Sequence, residues 1–367
     1  MEPLKNIYST AFFEELTKAT SKVIPVFNKD SFLKEIYNPQ WKTKELKQRM
    51  RHISTVLNNH LPGSYNTKLS SIRKIIFRIR EINSAPNSLA YMIFPDFVEV
   101  HGINDPDISL KAMEFITTFT SCEFAIRPFL LRFHDKCLMQ MLIWSRHENH
   151  HVRRLASEGS RPRLPWAMAI PALKKDPRPI LPILENLKND PSEYVRRSVA
   201  NNLNDIAKDN PSTVLEIAKK WKGINKETDW IIKHGCRTLL KKADPEVYSL
   251  FDLKGSFNCE VKNIKLDKTK LRIGERLNFS FHLFNKEEKT TKCRVEYAVY
   301  YMKSNGKQTR KLFKITENSY DSNTSYAFSR SLSFRDLTTR VHYPGKHSLA
   351  IVINGVELSS KNFTVNR

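Results

Sequence analysis

Residues 117–166 concentrate the side chains that can do chemistry: TTFTSCEFAIRPFL and then HENHHVRRLASEGSRPRLPWA. Both pieces set a carboxylate, Glu123 or Glu158, among arginines and aromatic rings. The whole chain has 61 Lys+Arg against 38 Asp+Glu in 367 residues, a formal charge of +23. Such an excess attracts polyanions, and nucleic acid is the leading partner because each neutralised phosphate releases counterions. An acid in a groove that grips phosphates repels the same backbone, so it needs a reason to be there, and facing a cation is one. Glu158 stands at a helix end before Gly159, where a carboxylate opposes the helix dipole at a cost of a few tenths to ~1 kcal/mol. Asp205, in Asn201-Asn202-Leu203-Asn204-Asp205, falls in the equivalent part of a later repeat. Plainer readings stand beside these. Glu123 can close a capping box with Thr120, and Asp205 can be a solvent-facing helix residue. Trp166 follows Arg161-Pro162-Arg163-Leu164-Pro165; it can stack on a base or seal a repeat interface.

The elements that carry these residues read as helical over residues 1–250. Apolar residues recur at helical spacing in 12–20, 72–82 and 214–221, and prolines are expected to punctuate the boundaries at Pro106, Pro128, Pro165, Pro191, Pro211 and Pro245. Val152-Arg153-Arg154 recurs as Val195-Arg196-Arg197, a shift of 43, and Ile232-Lys233-His234 lies 37 further on. These periods are those of HEAT-type helix pairs, which bury their apolar faces by stacking. Each V-R-R sets an apolar anchor inward with cations beside it, so Arg153, Arg154 and Arg196 are expected along one basic face, unless they are ordinary solvated helix residues. His147-Glu148-Asn149-His150-His151 spells the zinc-protease pattern H-E-x-x-H. The repeat register aligns His147-Glu148 with Asp190-Pro191, a loop and helix start, and no third ligand follows, so no metal is expected. His150 and His151 are instead expected near phosphate. Nucleotide-binding and hydrolase-elbow signatures are absent from the sequence, and no cofactor is expected.

Beyond residue 254 the pattern alternates. Leu277, Phe279, Phe281 and Leu283, then Val295, Tyr297, Val299 and Tyr301, then Leu349, Ile351 and Ile353 mark half-buried strands. Asn305-Gly306 and Asn354-Gly355 supply hairpin turns. The expected fold is mainly α: a HEAT-like-repeat α-solenoid over 1–254, then an all-β immunoglobulin-like sandwich over 255–367, jointed at Gly255-Ser256. The five cysteines show no paired spacing and are expected to be reduced. No apolar run reaches membrane-spanning length and the N-terminus lacks a signal pattern, so a cytoplasmic protein away from membranes is expected.

EPLKNIYS, FTSCEFAIRPFL, VRRLASEGSRPRLPWA and DPSEYVRRSVANNLNDIAKDNP together resemble the AlkC-type DNA alkylation repair glycosylases, HEAT-like-repeat enzymes of which one branch carries a C-terminal immunoglobulin-like domain. SEGSRPRLPW is the most distinctive of these strings. The resemblance implies excision of N-alkylated bases, chiefly 3-methyladenine and 3-methylcytosine, from double-stranded DNA. It implies that Glu123, Glu158 and Asp205 are the active-site acids and that Trp166 lies against the lesion or its sugar. It places Arg154, Arg161 and Arg163 close to the strand. A monofunctional, monomeric enzyme is expected, in which arginines hold phosphates and acids meet the cationic lesion. The competing expectation is a non-catalytic HEAT scaffold for nucleic acid or an acidic protein.

Overall fold

The computed structural model describes residues 2–84, 89–253, 257–337 and 340–367. The chain divides into two compact units, Met1–Gly235 and Cys236–Arg367. The expected joint at Gly255-Ser256 lies outside the described residues.

The first unit is helical. In order it holds α1 (Thr10–Val23), α2 (Lys29–Ile36), α3 (Leu46–His60), α4 (Tyr65–Ile82), α5 (Ile93–His101), α6 (Pro106–Ile116) and α7 (Ile126–Arg132). There follow α8 (His134–Trp144), α9 (His150–Gly159), α10 (Pro171–Lys175), α11 (Leu181–Leu187), α12 (Glu193–Ile206), α13 (Pro211–Trp221) and α14 (Lys226–Gly235). Pro106 and Pro211 begin their helices, where a missing N–H costs nothing. Helices α9, α12 and α14 lie side by side, with α8 behind α9 and α13 against α14. The repeated anchors are at their contacts: Val152 and Val195 are 0% exposed and Ile232 is 1%. Burial of each such side chain stabilises the stack by roughly 1.5–3 kcal/mol. This is HEAT-like stacking, in which no helix pair closes its own core.

The second unit begins with two short helices, α15 (Arg237–Lys241) and α16 (Pro245–Leu250), and continues as a sandwich. Its strands are β1 (Cys259–Leu266), β2 (Lys270–Arg272), β3 (Arg276–Asn285), β4 (Thr291–Met302), β5 (Gln308–Tyr320), β6 (Ser325–Ser333), β7 (Gly345–Ile353) and β8 (Val356–Asn366). One sheet has the order β1-β3-β6 and the other β2-β8-β7-β4-β5. The alternating residues of β3 bury Leu277, Phe279, Phe281 and Leu283 against those of β4 and β7, giving the immunoglobulin-like core. All five cysteines are free thiols. The β7–β8 turn takes Asn354 at φ 44° and Gly355 at φ 82°, the left-handed pair that suits a two-residue hairpin. Lys292 Nζ on β4 donates to the Phe251 carbonyl just after α16. A Cβ at Gly355 would stand 2.3 Å from Ala243 Cβ. Gly355→Ala is therefore expected to destabilise the unit by about 2–4 kcal/mol, read as a lower thermal midpoint. Among the described residues no helix is long and apolar enough to cross a membrane.

Candidate active site

Helix α9 starts at Asn149, whose side chain accepts from the His151 N–H. Its Val152, Leu155 and Ala156 turn inward, and that phase brings Ser157 and Glu158 to the seam with α12. There Ser198 Oγ donates to Glu158 Oε2 at 2.6 Å and lies 3.0 Å from Ser157 Oγ, a hydroxyl pair that completes the contact. Asn202 Nδ2 donates to the Ser157 carbonyl at 2.8 Å. Small residues on both helices let the backbones approach, and the seam holds Glu158 from the α12 side.

The three candidate acids fall into one connected chain of charges. Glu123 Oε2 accepts from Ser121 Oγ at 2.8 Å and pairs with Arg154 Nη1. Arg154 Nη2 lies 3.5 Å from Glu158 Oε1, which also meets Arg161 Nη1 at 2.7 Å. Arg161 Nε and Nη2 each lie 2.7 Å from Asp205 Oδ2, and Lys208 Nζ meets Asp205 Oδ1 at 2.8 Å. Acid and base alternate from Glu123 to Lys208. Exposure of the carboxylates falls along the series, from 16% for the Glu123 side chain to 8% for Glu158 and 2% for Asp205. Burial opposes the charges of Arg154 and Arg161. Glu123 and Glu158 outweigh it at Arg154, as Glu158 and Asp205 do at Arg161, so both guanidinium groups sit above their ordinary values. Glu123 does not cap a helix: α7 begins at Ile126 after Ala125, and the Glu123 carboxylate turns to Arg154. Asp205 is 1% exposed, buried against Arg161 rather than turned to solvent.

Arg161 and Trp166 share a loop that a further arginine, Arg127 of α7, builds from behind. Arg127 is 0% exposed. Its Nε and Nη2 donate to the Met168 carbonyl at 2.9 and 2.6 Å, and its Nη1 to the carbonyls of Gly159 and Arg161 at 3.0 and 2.5 Å. Burial, with Arg161 nearby, pushes it down to about 10. At the tip of the loop Trp166 is 65% exposed, at φ 63°, with its carbonyl receiving Lys47 Nζ. A bulky residue in the left-handed region costs roughly 1–2 kcal/mol. The strain is spent on displaying the indole, and its exposure excludes the reading of Trp166 as a buried seal. Trp166→Gly is expected to melt at least as high as Trp166→Ala, by about 1 kcal/mol in stability, while both bind DNA more weakly. Thermal melts and a binding titration on the two variants check this.

The remaining candidates separate. Arg153 Nη1 donates to the carbonyls of His147 and Glu148, and its Nε and Nη2 clasp Asp190 at 2.6 and 3.0 Å. One repeat later Arg196 Nη1 donates to the carbonyls of Asp190 and Pro191. The first arginine of each V-R-R thus fastens the loop ahead of its own helix. Arg163 holds Asp209 through two bonds of 2.8 and 2.6 Å. His150 and His151 pack against Tyr194, whose ring lies 4.7 Å from Arg154 Cζ. His147 precedes α9 while His151 lies in its first turn. Among the described residues no three His, Cys, Asp or Glu side chains gather as a metal site. Sequence reasoning missed Arg127, Tyr194, Ser198 and Lys208. Only Tyr194 carried a signal: it precedes Val195 as His151 precedes Val152.

Residues 94–239 match the family model described as DNA alkylation repair enzyme, and residues 260–367 match that of the C-terminal Ig-like domain of the uncharacterised protein YhaZ. The uncharacterized protein YhaZ of Bacillus subtilis (strain 168) is 43% identical over 367 residues, the full length of both chains. The structure of Pseudomonas fluorescens alkylpurine DNA glycosylase AlkC, bound to DNA containing an abasic site analogue, matches with a TM-score of 0.94 at 34% identity, covering 100% of both chains. The chain belongs to the AlkC-type family of HEAT-like-repeat DNA alkylation repair proteins that carry a C-terminal immunoglobulin-like domain.

Proposed function

We propose that this protein is a monofunctional DNA glycosylase that hydrolyses the N-glycosidic bond of cationic N-alkylated bases, chiefly 3-methyladenine and 3-methylcytosine, in duplex DNA. The observation that carries the reading is the chain of Glu123, Glu158 and Asp205 threaded through Arg154 and Arg161, with Arg161 on the loop that also displays a strained, exposed Trp166. The relative solved on DNA holds an abasic site analogue, which resembles the product such a reaction leaves.

Alkylation of a ring nitrogen gives the base a positive charge and makes it a good leaving group. As the C1′–N bond breaks, its electron pair passes to the base, which departs neutral. The sugar becomes oxocarbenium-like. A carboxylate beside C1′ stabilises that charge and orients water, whose oxygen bonds to C1′ and whose proton leaves to a carboxylate or solvent. Glu158 is the best placed for this, between the more open Glu123 and the buried Asp205. Trp166 stacks against the exposed lesion or sugar. Neutral bases gain no attraction from the acids, and that supplies selectivity.

Purified full-length protein incubated with methylated duplex DNA is expected to release free methylated bases, identified by chromatography, and to leave alkali-labile abasic sites. DNA binding without any base release would return the chain to the scaffold reading.

A further inference from the structure

Beside the acid chain the helical unit contains a small cavity of about 90 Å³, lined by Thr117, Phe119, Thr120, Ser121, His151, Arg154 and Tyr194. Every polar lining group can donate: four hydroxyls, an imidazole and a guanidinium. No carboxylate lines it. It is large enough for one phosphoryl group. We propose that this cavity seats one phosphodiester group of the substrate strand, next to the damaged nucleotide, and that its occupation draws Arg154 away from Glu123. The proposal rests on the reading of the chain as a DNA-acting protein.

The charges around the cavity favour an anion. Arg80 stands behind the rim, with Nη2 donating to the Thr118 carbonyl at 2.9 Å. Burial first, then His150, Arg154 and Arg80, holds the His151 imidazole below its ordinary value; the permanent cations at this end of the cavity are Arg154 and Arg80. The opposing charge nearby is Glu123, which shares Arg154 and Ser121. A phosphate oxygen can accept from Arg154 and Ser121 in its place, and charge-assisted bonds of this kind are among the strongest available to an arginine. Arg154 also touches Glu158. A phosphate that takes Arg154 therefore loosens both carboxylates just where a cationic base would arrive. The paired acids of the free protein become available only when a strand is in place, which couples the grip on the backbone to the chemistry at the sugar.

The test measures binding of full-length protein to duplexes bearing a neutral tetrahydrofuran abasic analogue, with single methylphosphonate groups placed in turn along the damaged strand. Each methylphosphonate removes one phosphate charge. One position is expected to weaken wild-type binding about tenfold. His151→Gln and Tyr194→Phe, both at partly exposed side chains, are each expected to weaken binding to the unmodified duplex several-fold. In both variants that one position should add little further loss, because they have already impaired the same contact. A wild type with no sensitive position, or penalties that multiply with those of the variants at every position, overturns the proposal. No base release is measured, so non-additive binding by a protein that excises nothing keeps the cavity assignment and removes only the glycosylase reading.

Discussion

Glu158→Gln is expected to slow single-turnover base release by about 10²–10³-fold while the duplex binds as tightly as before or more tightly. Glutamine keeps the shape and can still accept from Ser198 Oγ, which lies 2.6 Å from Glu158 Oε2. What it lacks is the negative charge that an oxocarbenium-like sugar meets in the transition state. The strand meets less repulsion, so binding holds while chemistry fails. Asp205→Asn is expected to act in the same direction and to cost more in stability, because Asp205 is 1% exposed and the variant leaves Arg161 without its second carboxylate. Breaking a buried pair of this kind costs about 3–5 kcal/mol. Thermal melting separates that loss from the loss of chemistry, provided rates are taken well below the midpoint.

The second large effect lies at Arg127. Arg127→Met is expected to destabilise the protein by about 3–5 kcal/mol, because three carbonyls in the 159–168 loop lose their donors in a dry interior. For the helical unit that corresponds to a fall of about 6–20 °C in the melting midpoint. Arg127→Lys keeps the charge but not the fork that reaches Gly159, Arg161 and Met168 together, and is expected to recover part of the stability. Base release should fall in both variants even at temperatures where they are folded, since the same loop carries Arg161 and Trp166. Midpoints with single-turnover rates at a common low temperature check it. Full activity in folded Arg127→Lys would mean that the loop holds its shape without the fork.

The architecture was legible because burial follows a period. Val152, Val195 and Ile232 recur in register and are the contacts of α9, α12 and α14. The alternation in β3 is the core face of the sandwich. On β4 the alternation of Val295, Tyr297, Val299 and Tyr301 located the strand but not its burial, since Glu296 and Ala298 are buried as well as Val295 and Tyr297; a strand covered on both faces does not follow the half-buried pattern. The acids were legible as types in an unlikely setting, but their partners were not. Nothing in a sequence separates Arg154, which bridges two carboxylates, from Arg153, which fastens a loop, because the two differ only in the direction that one helical step gives them. Arg127 was invisible for a related reason: within AIRPFL it reads as a solvated helix residue, and its burial depends on carbonyls that arrive from more than thirty residues away. The display of Trp166 depends on a positive φ at a non-glycine residue, which no sequence pattern announces.

The most direct measurement of whether these carboxylates serve a cationic sugar is the affinity of the full-length protein for two otherwise identical duplexes. One carries a protonated pyrrolidine at the abasic position, which mimics the charge of the transition state, and the other a neutral tetrahydrofuran. Tighter binding of the pyrrolidine duplex by at least about tenfold, with the preference abolished in Glu158→Gln, is the expected result. Equal affinity for the two duplexes, or a preference unchanged by Glu158→Gln, would contradict it.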